Sequence, residues 1–228
     1  MRAVFVTGTG TDIGKTYVSA VIARTLHERH LKIGYYKAAV SGADSIEQSD
    51  AGFVNTYASL GQDNNTLLSY LYKRPLSPHL AARYEQRFAD LDSIKKSFLS
   101  LSRSYDYVLS EGAGGIVCPV VYEPDLKLMY SDILKSFGIP TLVVADAGLG
   151  TINHTVLTIS YLKKLGITVN GVILNRYDEE NMMHCDNLTM IEQLSEVNVI
   201  GVLPFGSASI KELKKPLEEY FEEPKQSR

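Results

Sequence analysis

Apolar residues recur along the chain in two alternating patterns. Short continuous apolar runs, such as residues 4–6, predict buried strands. The spacing of Val18, Val21 and Ile22 predicts a helix over residues 16–30. Further strands are predicted at 33–36, 105–110, 140–145, 169–174 and 199–203, and further helices at 50–60, 92–103, 132–137, 151–165 and 180–197. This alternation predicts an α/β protein with a mostly parallel central sheet and helices on both faces.

Three other stretches have weaker periodicity. Residues 43–65 are polar and irregular outside the predicted helix, and the proline-rich stretch 74–79 predicts a constrained loop. The charged segment 210–223 contains Pro216 and predicts a frayed helix on the surface. The chain has no internal repeat, and its length suits one core, so we expect residues 1–228 to form a single domain.

A glycine-bounded loop follows the first predicted strand and opens the first predicted helix. Its sequence is Gly8-Thr9-Gly10-Thr11-Asp12-Ile13-Gly14-Lys15-Thr16, called here the phosphate loop. In loops of this kind the backbone N–H groups and the helix N-terminus bind phosphates, a lysine reaches the terminal phosphates, and a hydroxyl ligates Mg²⁺. We therefore predict a nucleotide site with a three-layer P-loop fold, although five residues separate the bounding glycines, where four are usual.

Composition excludes several other functions. The formal net charge of −3 gives no electrostatic reason to expect a nucleic acid or an acidic membrane as partner. Cys118 and Cys185 are far apart and lack ligand spacing, so neither a disulfide framework nor a zinc site is predicted. The chain enters a strand directly and has no apolar run long enough to span a bilayer, so we expect a cytoplasmic protein.

Polar residues at the ends of predicted strands are the candidates for chemistry. Lys37 and Ser41 follow the strand at 33–36, and Glu111 ends the strand at 105–110. Ligands bind at the carboxyl edge of a parallel sheet, and a fixed ammonium there can stabilise charge on a transferring phosphoryl group. Two interpretations stay open for each charge: Lys37 is catalytic or merely solvated, and Glu111 ligates a metal or pairs with a lysine.

Two helix starts have equally open interpretations. Asp50 is a possible metal ligand, but a helix N-cap is the commoner role of an aspartate at such a position. The backbone N–H groups at Thr151 either hold a carboxylate or belong to an ordinary capped helix.

Five motifs, in order and with matching gaps, resemble those of the dethiobiotin synthetase family. They are the phosphate loop, Gly34-Tyr35-Tyr36-Lys37 with Ser41-Gly42, Ser77-Pro78-His79, Glu111-Gly112-Ala113-Gly114-Gly115, and Gly150-Thr151-Ile152-Asn153-His154. The resemblance runs to about Asn175, and the long loop spacing is the family's own. The resemblance implies a ligase of biotin biosynthesis that uses Mg²⁺ and ATP to close the ureido ring of dethiobiotin from 7,8-diaminononanoate and CO₂ (bicarbonate). The intermediates implied are a carbamate and a carbamic-phosphoric anhydride, and the protein would be a homodimer with the substrate site at its interface.

By position, the resemblance also implies a role for individual residues. The catalytic residues would be Lys37, Lys15 and Thr11, and the Mg²⁺ ligands would be Thr16, Asp50 and Glu111. The substrate contacts would be Thr11, Lys37, Ser41, Gly150, Thr151, Ile152 and Asn153. The nucleotide contacts would be Gly8, Asp12, Ile13, Gly14, Lys15, Thr16, Tyr17, Asp50, Glu111, Gly112, Ala113, Gly114, Asn175, Arg176, Pro204, Phe205 and Gly206.

Three places depart from the family's pattern. Asp12 stands where glutamate is commoner, Ala38 stands where a proline usually follows the lysine, and the segment after Pro204 does not follow the usual base-contacting sequence. Asp12 keeps the negative charge on a shorter side chain near the nucleotide, and the changed segment after Pro204 bears on selectivity for adenine.

Two alternative functions share the predicted fold. A related ATP-dependent amidase would need a glutaminase domain or partner to supply ammonia, and we expect such a chain to be longer than 228 residues. A nucleotide-dependent switch typically has an additional lysine early in the phosphate loop, and no lysine precedes Lys15 here. Such switches often end in an amphipathic membrane helix, which the proline-interrupted tail does not resemble.

Overall fold

The computed structural model describes residues 1–225. Its strands are β1 (Arg2–Gly8), β2 (Ile33–Ser41), β3 (Leu68–Tyr72), β4 (Tyr107–Gly115), β5 (Pro119–Tyr122), β6 (Lys127–Met129), β7 (Thr141–Asp146), β8 (Val169–Asn175) and β9 (Val199–Leu203). Its α-helices are α1 (Lys15–Glu28), α2 (Asp50–Tyr57), α3 (Pro78–Glu85), α4 (Leu91–Ser100), α5 (Tyr130–Phe137), α6 (Thr151–Lys164) and α7 (Met182–Ser195). In this part of the chain no helix is long and apolar enough to cross a membrane.

Seven strands form one parallel sheet in the order β3-β2-β4-β1-β7-β8-β9. Strands β5 and β6 form a separate antiparallel pair. The predicted α/β class with a parallel sheet is therefore confirmed. Because all seven strands run in one direction, the segments that follow β1, β2, β4, β7 and β8 meet at one edge of the sheet, where ligands bind in open α/β sheets.

The sheet separates two apolar cores, which gives the predicted three layers. One core holds side chains of α3 to α7, for example Phe98 and Leu162. The other holds side chains of α1, α2 and the C-terminal segment, for example Leu26, Val54 and Tyr220. Both faces of the sheet are covered, which is why its strands read as continuous apolar runs.

Strands β2 and β4 are longer than predicted, which corrects the positions of three residues. Lys37 and Ser41 lie within β2 rather than beyond it, and Glu111 lies within β4. The Cα of Lys37 is paired with Glu111 on one side and with Leu68 of β3 on the other. A lysine and a glutamate are tolerated inside buried strands because the register places opposite charges side by side.

Helix starts follow local capping chemistry. The Ser49 side chain accepts a hydrogen bond from the Gly52 N–H and caps α2, so Asp50 is the first helical residue and not the N-cap. Asp90 and Asn181 cap α4 and α7 in the same way. Helix α3, which was not predicted, begins at a proline, a residue favoured in the first turn.

The segment 210–223 is not the frayed helix that was predicted. Lys211 forms an antiparallel bridge with Val202, and Glu222 forms one with Ala3. A proline inside the segment prevents a continuous helix, and the two bridges satisfy backbone groups that a helix would otherwise pair internally. Strand β3 and the β5–β6 pair were also not predicted, because their runs are short.

Candidate active site

Glycines shape the phosphate loop at both ends. A Cβ at Gly8 would lie 2.7 Å from Cδ of Lys15, so only glycine fits beneath that side chain. Gly14 has φ of 86° and caps α1, and a Cβ there would lie 2.1 Å from Nδ2 of Asn175. The Lys15 ammonium donates a hydrogen bond of 2.8 Å to the Gly10 carbonyl. Burial lowers the pKa of Lys15, although the charge of Glu111 opposes that shift.

A charged cluster lies beside the loop, on β2, β4 and α2. The Lys37 ammonium is 2.6 Å from Oδ2 of Asp50 and 2.8 Å from Oε1 of Glu111. Lys37 is 3% exposed and Glu111 is 0% exposed. The Thr16 hydroxyl donates to the same Oε1 at 2.9 Å, and the Tyr35 hydroxyl donates to Oε2 at 3.1 Å. The buried carboxylate is thus satisfied by one ammonium and two hydroxyl groups.

Lys37 and Asp50 hold each other in their ionised forms. Burial alone would lower the pKa of Lys37, but the charges of Glu111 and Asp50 raise that pKa above its ordinary value. Burial likewise opposes ionisation of Asp50, but Lys37 holds the pKa of that carboxyl below its usual range. Burial, reinforced by the carboxylates, raises the pKa of Tyr35 well above its ordinary value, so the phenol keeps its proton and acts as a donor.

Tyr35 is a site residue that sequence reasoning missed. It precedes Lys37 by two positions in β2, and residues two apart in a strand share a face. That period could have identified it once Lys37 was singled out. The pattern of polarity could not, because β2 is buried from Ile33 to Val40 and shows no alternation.

The oxygen donors of the cluster suit a hard divalent cation. Mg²⁺ takes oxygen ligands at about 2.1 Å in octahedral geometry, so neighbouring ligands lie roughly 3 Å apart. The oxygens of Thr16 and Glu111 have such a separation, 2.9 Å. Asp50, whose side chain is 50% exposed, adds a second carboxylate at the cleft. The three residues predicted to bind Mg²⁺ therefore fit the ion by donor type, and no group of three or more His, Cys, Asp or Glu in residues 1–225 offers another metal site.

One cleft of about 720 Å³ joins the phosphate loop to the charged cluster. Eleven of the predicted site residues line it: Thr11, Asp12, Gly14, Lys15, Thr16, Lys37, Ser41, Asp50, Ala113, Gly114 and Arg176. Its remaining lining was not predicted and consists of Val40, Pro75, Leu76, Ser77, Pro78 and Cys118. Burial raises the pKa of the Cys118 thiol to about 11, which disfavours the nucleophilic thiolate form.

A smaller cavity of about 260 Å³ shares Gly14 and Arg176 with the cleft. It is lined by Gly14, Tyr17, Asn175, Arg176, Phe205 and Gly206, all of them predicted nucleotide contacts. Phe205 is 85% exposed at its mouth. The Tyr17 hydroxyl donates to the Ser207 carbonyl at 3.1 Å, which ties α1 to the segment after β9. Pro204 lines a third cavity next to it, of about 420 Å³.

Other predicted residues lie outside both the cleft and the smaller cavity. A Cβ at Gly112 would approach the Phe5 ring within 3.0 Å, so this glycine serves packing. Gly8 and Ile13 belong to the loop but line neither space.

The four predicted residues of the helix start, Gly150 to Asn153, also line neither space. Gly150 is the N-cap of α6 with φ of 87°, and no side chain of the described residues caps this helix. The neighbouring Leu149 is 92% exposed.

The sequence is similar to a family model and to named bacterial proteins over most of its length. A family model described as an AAA domain matches residues 2–212. A protein of Brachyspira hyodysenteriae (strain ATCC 49526 / WA1) named ATP-dependent dethiobiotin synthetase BioD is 47% identical over 221 residues, 97% of this chain and 99% of that protein. A protein of the same name from Clostridium botulinum (strain Alaska E43 / Type E3) is 43% identical over 202 residues, 87% of this chain and 88% of that protein.

Solved structures share the fold at much lower identity. The MinC:MinD cell division protein complex of Aquifex aeolicus matches with a TM-score of 0.58 and 17% identity, over 90% of this chain and 81% of that chain. FlhF complexed with GMPPNP/Mg(2+) matches with a TM-score of 0.55 and 19% identity, over 96% of this chain and 72% of that chain. At these identities the likeness is one of fold alone.

Proposed function

The chain belongs to the ATP-dependent dethiobiotin synthetase family, and we propose how its residues carry out the reaction. It is an ATP-dependent ligase of biotin biosynthesis that forms C–N bonds. The family's name implies ATP, CO₂ and diaminononanoate as substrates. We further propose that residues 1–228 act as one domain and that the protein works in the cytoplasm, where ATP is supplied.

The proposed course has three bond-forming steps. One amine of 7,8-diaminononanoate attacks CO₂ and loses a proton, which gives a carbamate. A carbamate oxygen attacks the γ-phosphorus of ATP, the bond to ADP breaks, and a carbamic-phosphoric anhydride forms. The second amine then attacks the carbonyl carbon, phosphate leaves with the broken C–O bond, and loss of a proton completes the ureido ring.

The observation that carries this proposal is the single cleft lined by Lys15 and Thr16 as well as by Lys37 and Ser41. In the proposal Lys15 and the loop amides hold the phosphates, while Thr11 and Ser41 contact the diamine. A diamine in the cleft would then lie beside the terminal phosphate.

We assign Lys37 an electrostatic role. Its ammonium is fixed by two carboxylates, and its raised pKa keeps it charged through the neutral range. A group held in this way cannot serve as a general base at neutral pH, but it can stabilise negative charge on the transferring phosphoryl group without reorganising.

Thr16, Asp50 and Glu111 would hold Mg²⁺. When bound, the ion would neutralise charge on the β- and γ-phosphates. Titration calorimetry with a non-hydrolysable ATP analogue tests this directly, because Glu111→Gln should abolish the Mg²⁺ dependence of its affinity. An unchanged dependence would refute the assigned ligands.

The smaller cavity beside Gly14 is the proposed site of the base. Asn175, Arg176 and Phe205 line it. Pro204 and Gly206 belong to the same segment, and Tyr17 holds that segment through Ser207. If this assignment is right, Phe205→Ala weakens binding of the ATP analogue more than binding of inorganic triphosphate.

We propose a homodimer in which the start of α6 receives the substrate carboxylate of the partner's site. The uncapped N-terminus of α6 and the exposed Leu149 beside it support this placement. Mixing two inactive variants, Lys37→Ala and one altered at Thr151 to Asn153, should restore activity, since a shared site would make roughly a quarter of all sites intact. No restoration in a dimer that exchanges subunits would contradict a shared site.

One incubation tests the reaction itself. The protein is supplied with Mg²⁺, ATP and bicarbonate, with and without 7,8-diaminononanoate, and phosphate and dethiobiotin are measured. Phosphate release should require the diamine and equal dethiobiotin in amount. Hydrolysis that is indifferent to the diamine would favour a nucleotide-dependent switch instead.

Lys37→Ala separates the role of Lys37 from that of Lys15. We expect this variant to bind the ATP analogue nearly as tightly as the wild type while turnover is suppressed, whereas Lys15→Ala loses affinity. Circular dichroism establishes that both variants are folded at the assay temperature. Equal losses of affinity would contradict the proposed placement of Lys37.

A further inference from the structure

The Arg176 guanidinium joins the phosphate loop to the end of β7. Its Nη1 is 2.7 Å from Oδ2 of Asp146, and its Nη2 donates to the carbonyl of Asp12 at 2.8 Å. Two of its nitrogens are therefore engaged within the protein. Asp146 itself lines neither the cleft nor the smaller cavity.

Asp146 also fixes the turn that leads into α6. Its second oxygen, Oδ1, accepts a hydrogen bond of 2.9 Å from the Gly148 N–H. The Asn187 amide donates to the carbonyls of Ala147 and Gly148 at 2.9 and 3.2 Å. One carboxylate therefore bonds the turn before Thr151 with one oxygen and Arg176 with the other.

Two consecutive carbonyls of the loop are held by two consecutive residues at the end of β8. Asn175 donates to the carbonyl of Ile13 at 2.9 Å, and Arg176 donates to the carbonyl of Asp12. Asp12 and Arg176 both have left-handed backbone conformations, with φ of 59° and 58°. Such conformations cost roughly 1 kcal/mol or more in non-glycine residues and persist where the surroundings fix them.

We propose that Asp146 and Arg176 are positioning residues, which hold the phosphate loop at Asp12 and keep it in register with the start of α6. The bridge fixes the direction of the loop amides that receive phosphate, so its loss would lower nucleotide affinity. This inference rests on the proposed nucleotide site at the loop. The proposed role of Arg176 differs from a direct contact with the nucleotide, because the proposed role requires Asp146.

Charge alone predicts the opposite effect for Asp146. Removing a carboxylate near a bound polyanion strengthens binding if the only influence is Coulomb repulsion. If Asp146 acts by holding Arg176, the isosteric and neutral Asp146→Asn weakens binding instead. The sign of the change therefore separates the two explanations.

The experiment measures the affinity of the full-length variants for Mg²⁺ and a non-hydrolysable ATP analogue. Asp146→Asn and Arg176→Met should each weaken binding about three- to fivefold, as expected for a partly exposed pair. The double variant should be no weaker than Arg176→Met, because both substitutions break one bridge. Arg176→Lys should also weaken binding, since a single ammonium does not reproduce the two separate guanidinium nitrogens that contact Asp146 and Asp12.

Steady-state kinetics add a second readout. The KM for ATP should rise in Asp146→Asn while kcat changes less than about twofold, because an orienting interaction is present in both the ground state and the transition state. If the substitution only reduced the fraction of folded protein, the apparent kcat would fall and the KM for ATP would stay unchanged. That pattern would contradict a positioning role.

Arg83 offers a matched control. Its guanidinium likewise bridges a carboxylate, Glu123 at 2.8 Å, and a carbonyl, Tyr122 at 2.8 Å, with similar exposure but outside the cleft. Arg83→Met should leave nucleotide affinity unchanged.

Three results would overturn the inference: tighter binding by Asp146→Asn, wild-type affinity in Arg176→Lys, or additive losses in the double variant. A wild-type protein that fails to bind the analogue, or a Lys15→Ala variant that binds it normally, would instead contradict the proposed nucleotide site.

Discussion

Lys37→Met should lower the free energy of unfolding by about 3 kcal/mol. Methionine keeps an unbranched stem in a site that is 3% exposed but removes the ammonium. Glu111 would then keep a fully buried negative charge with only the hydroxyl groups of Thr16 and Tyr35 as donors. Loss of one partner of a buried ion pair typically costs about 3–5 kcal/mol, and the two remaining donors place this case at the lower end.

Urea unfolding followed by far-UV circular dichroism measures this change, since the chain has no tryptophan. With an m-value of about 3 kcal/mol/M for a chain of this size, the midpoint should fall by about 1 M. The variant should remain folded in buffer, because domains commonly have about 5–15 kcal/mol of stability.

Two further variants isolate the cause. Lys37→Met combined with Glu111→Gln should regain part of the loss, because no unpaired charge is then buried. Lys214→Met removes a lysine paired with Glu192 on the surface and should cost less than about 1 kcal/mol. The reasoning fails if Lys37→Met costs no more than Lys214→Met, or if adding Glu111→Gln lowers stability further.

Tyr35→Phe removes one hydrogen bond to the buried carboxylate of Glu111, so it should lower the unfolding free energy by about 1.5 kcal/mol. It should also raise the Mg²⁺ concentration needed for half-maximal nucleotide binding. Unchanged values in both assays would refute the positioning of Glu111 by Tyr35. Because the folded-state pKa of Lys37 lies above the unfolded value of about 10.4, its stabilisation should be complete below that pH and be lost as pH rises through the folded value. Urea midpoints measured in alkaline buffers should show that fall in the wild type and a smaller one in Lys37→Met. Gly14→Ala should reduce nucleotide affinity and stability more than Gly166→Ala. Both glycines have positive φ, but only an added methyl group at Gly14 meets a neighbouring side chain. Equal effects on stability would show that backbone strain dominates.

Local patterns were sufficient for the sheet class and for the phosphate loop. Strand β1, the loop and helix α1 are contiguous, so their residues are neighbours by chain connection, and glycine, lysine and threonine suit that geometry wherever it occurs. The alternation of apolar runs with helical periodicity was likewise enough to predict a parallel sheet, because each crossover needs a helix long enough to return the chain.

Several short elements were not predicted. Strand β3 has only five residues, and the β5–β6 pair has strands of four and three. The segment 210–223 has an apparent helical composition but is held by bridges to β9 and to β1. In these segments tertiary pairing overrides the local pattern.

Residue patterns along the chain are enough to predict a phosphate loop, a parallel sheet and a set of polar residues toward the sheet's carboxyl edge. How those residues meet depends on the folded arrangement of the strands. Strand β2 pairs with β4 as well as with β3, the strand that follows it in sequence. Lys37 is therefore opposite Glu111, which is 74 residues away in the chain. In the same way β7 and β8 bring Asp146 to Arg176. Such pairings depend on strand order and register, which arise from packing of the whole sheet, and no local periodicity encodes them.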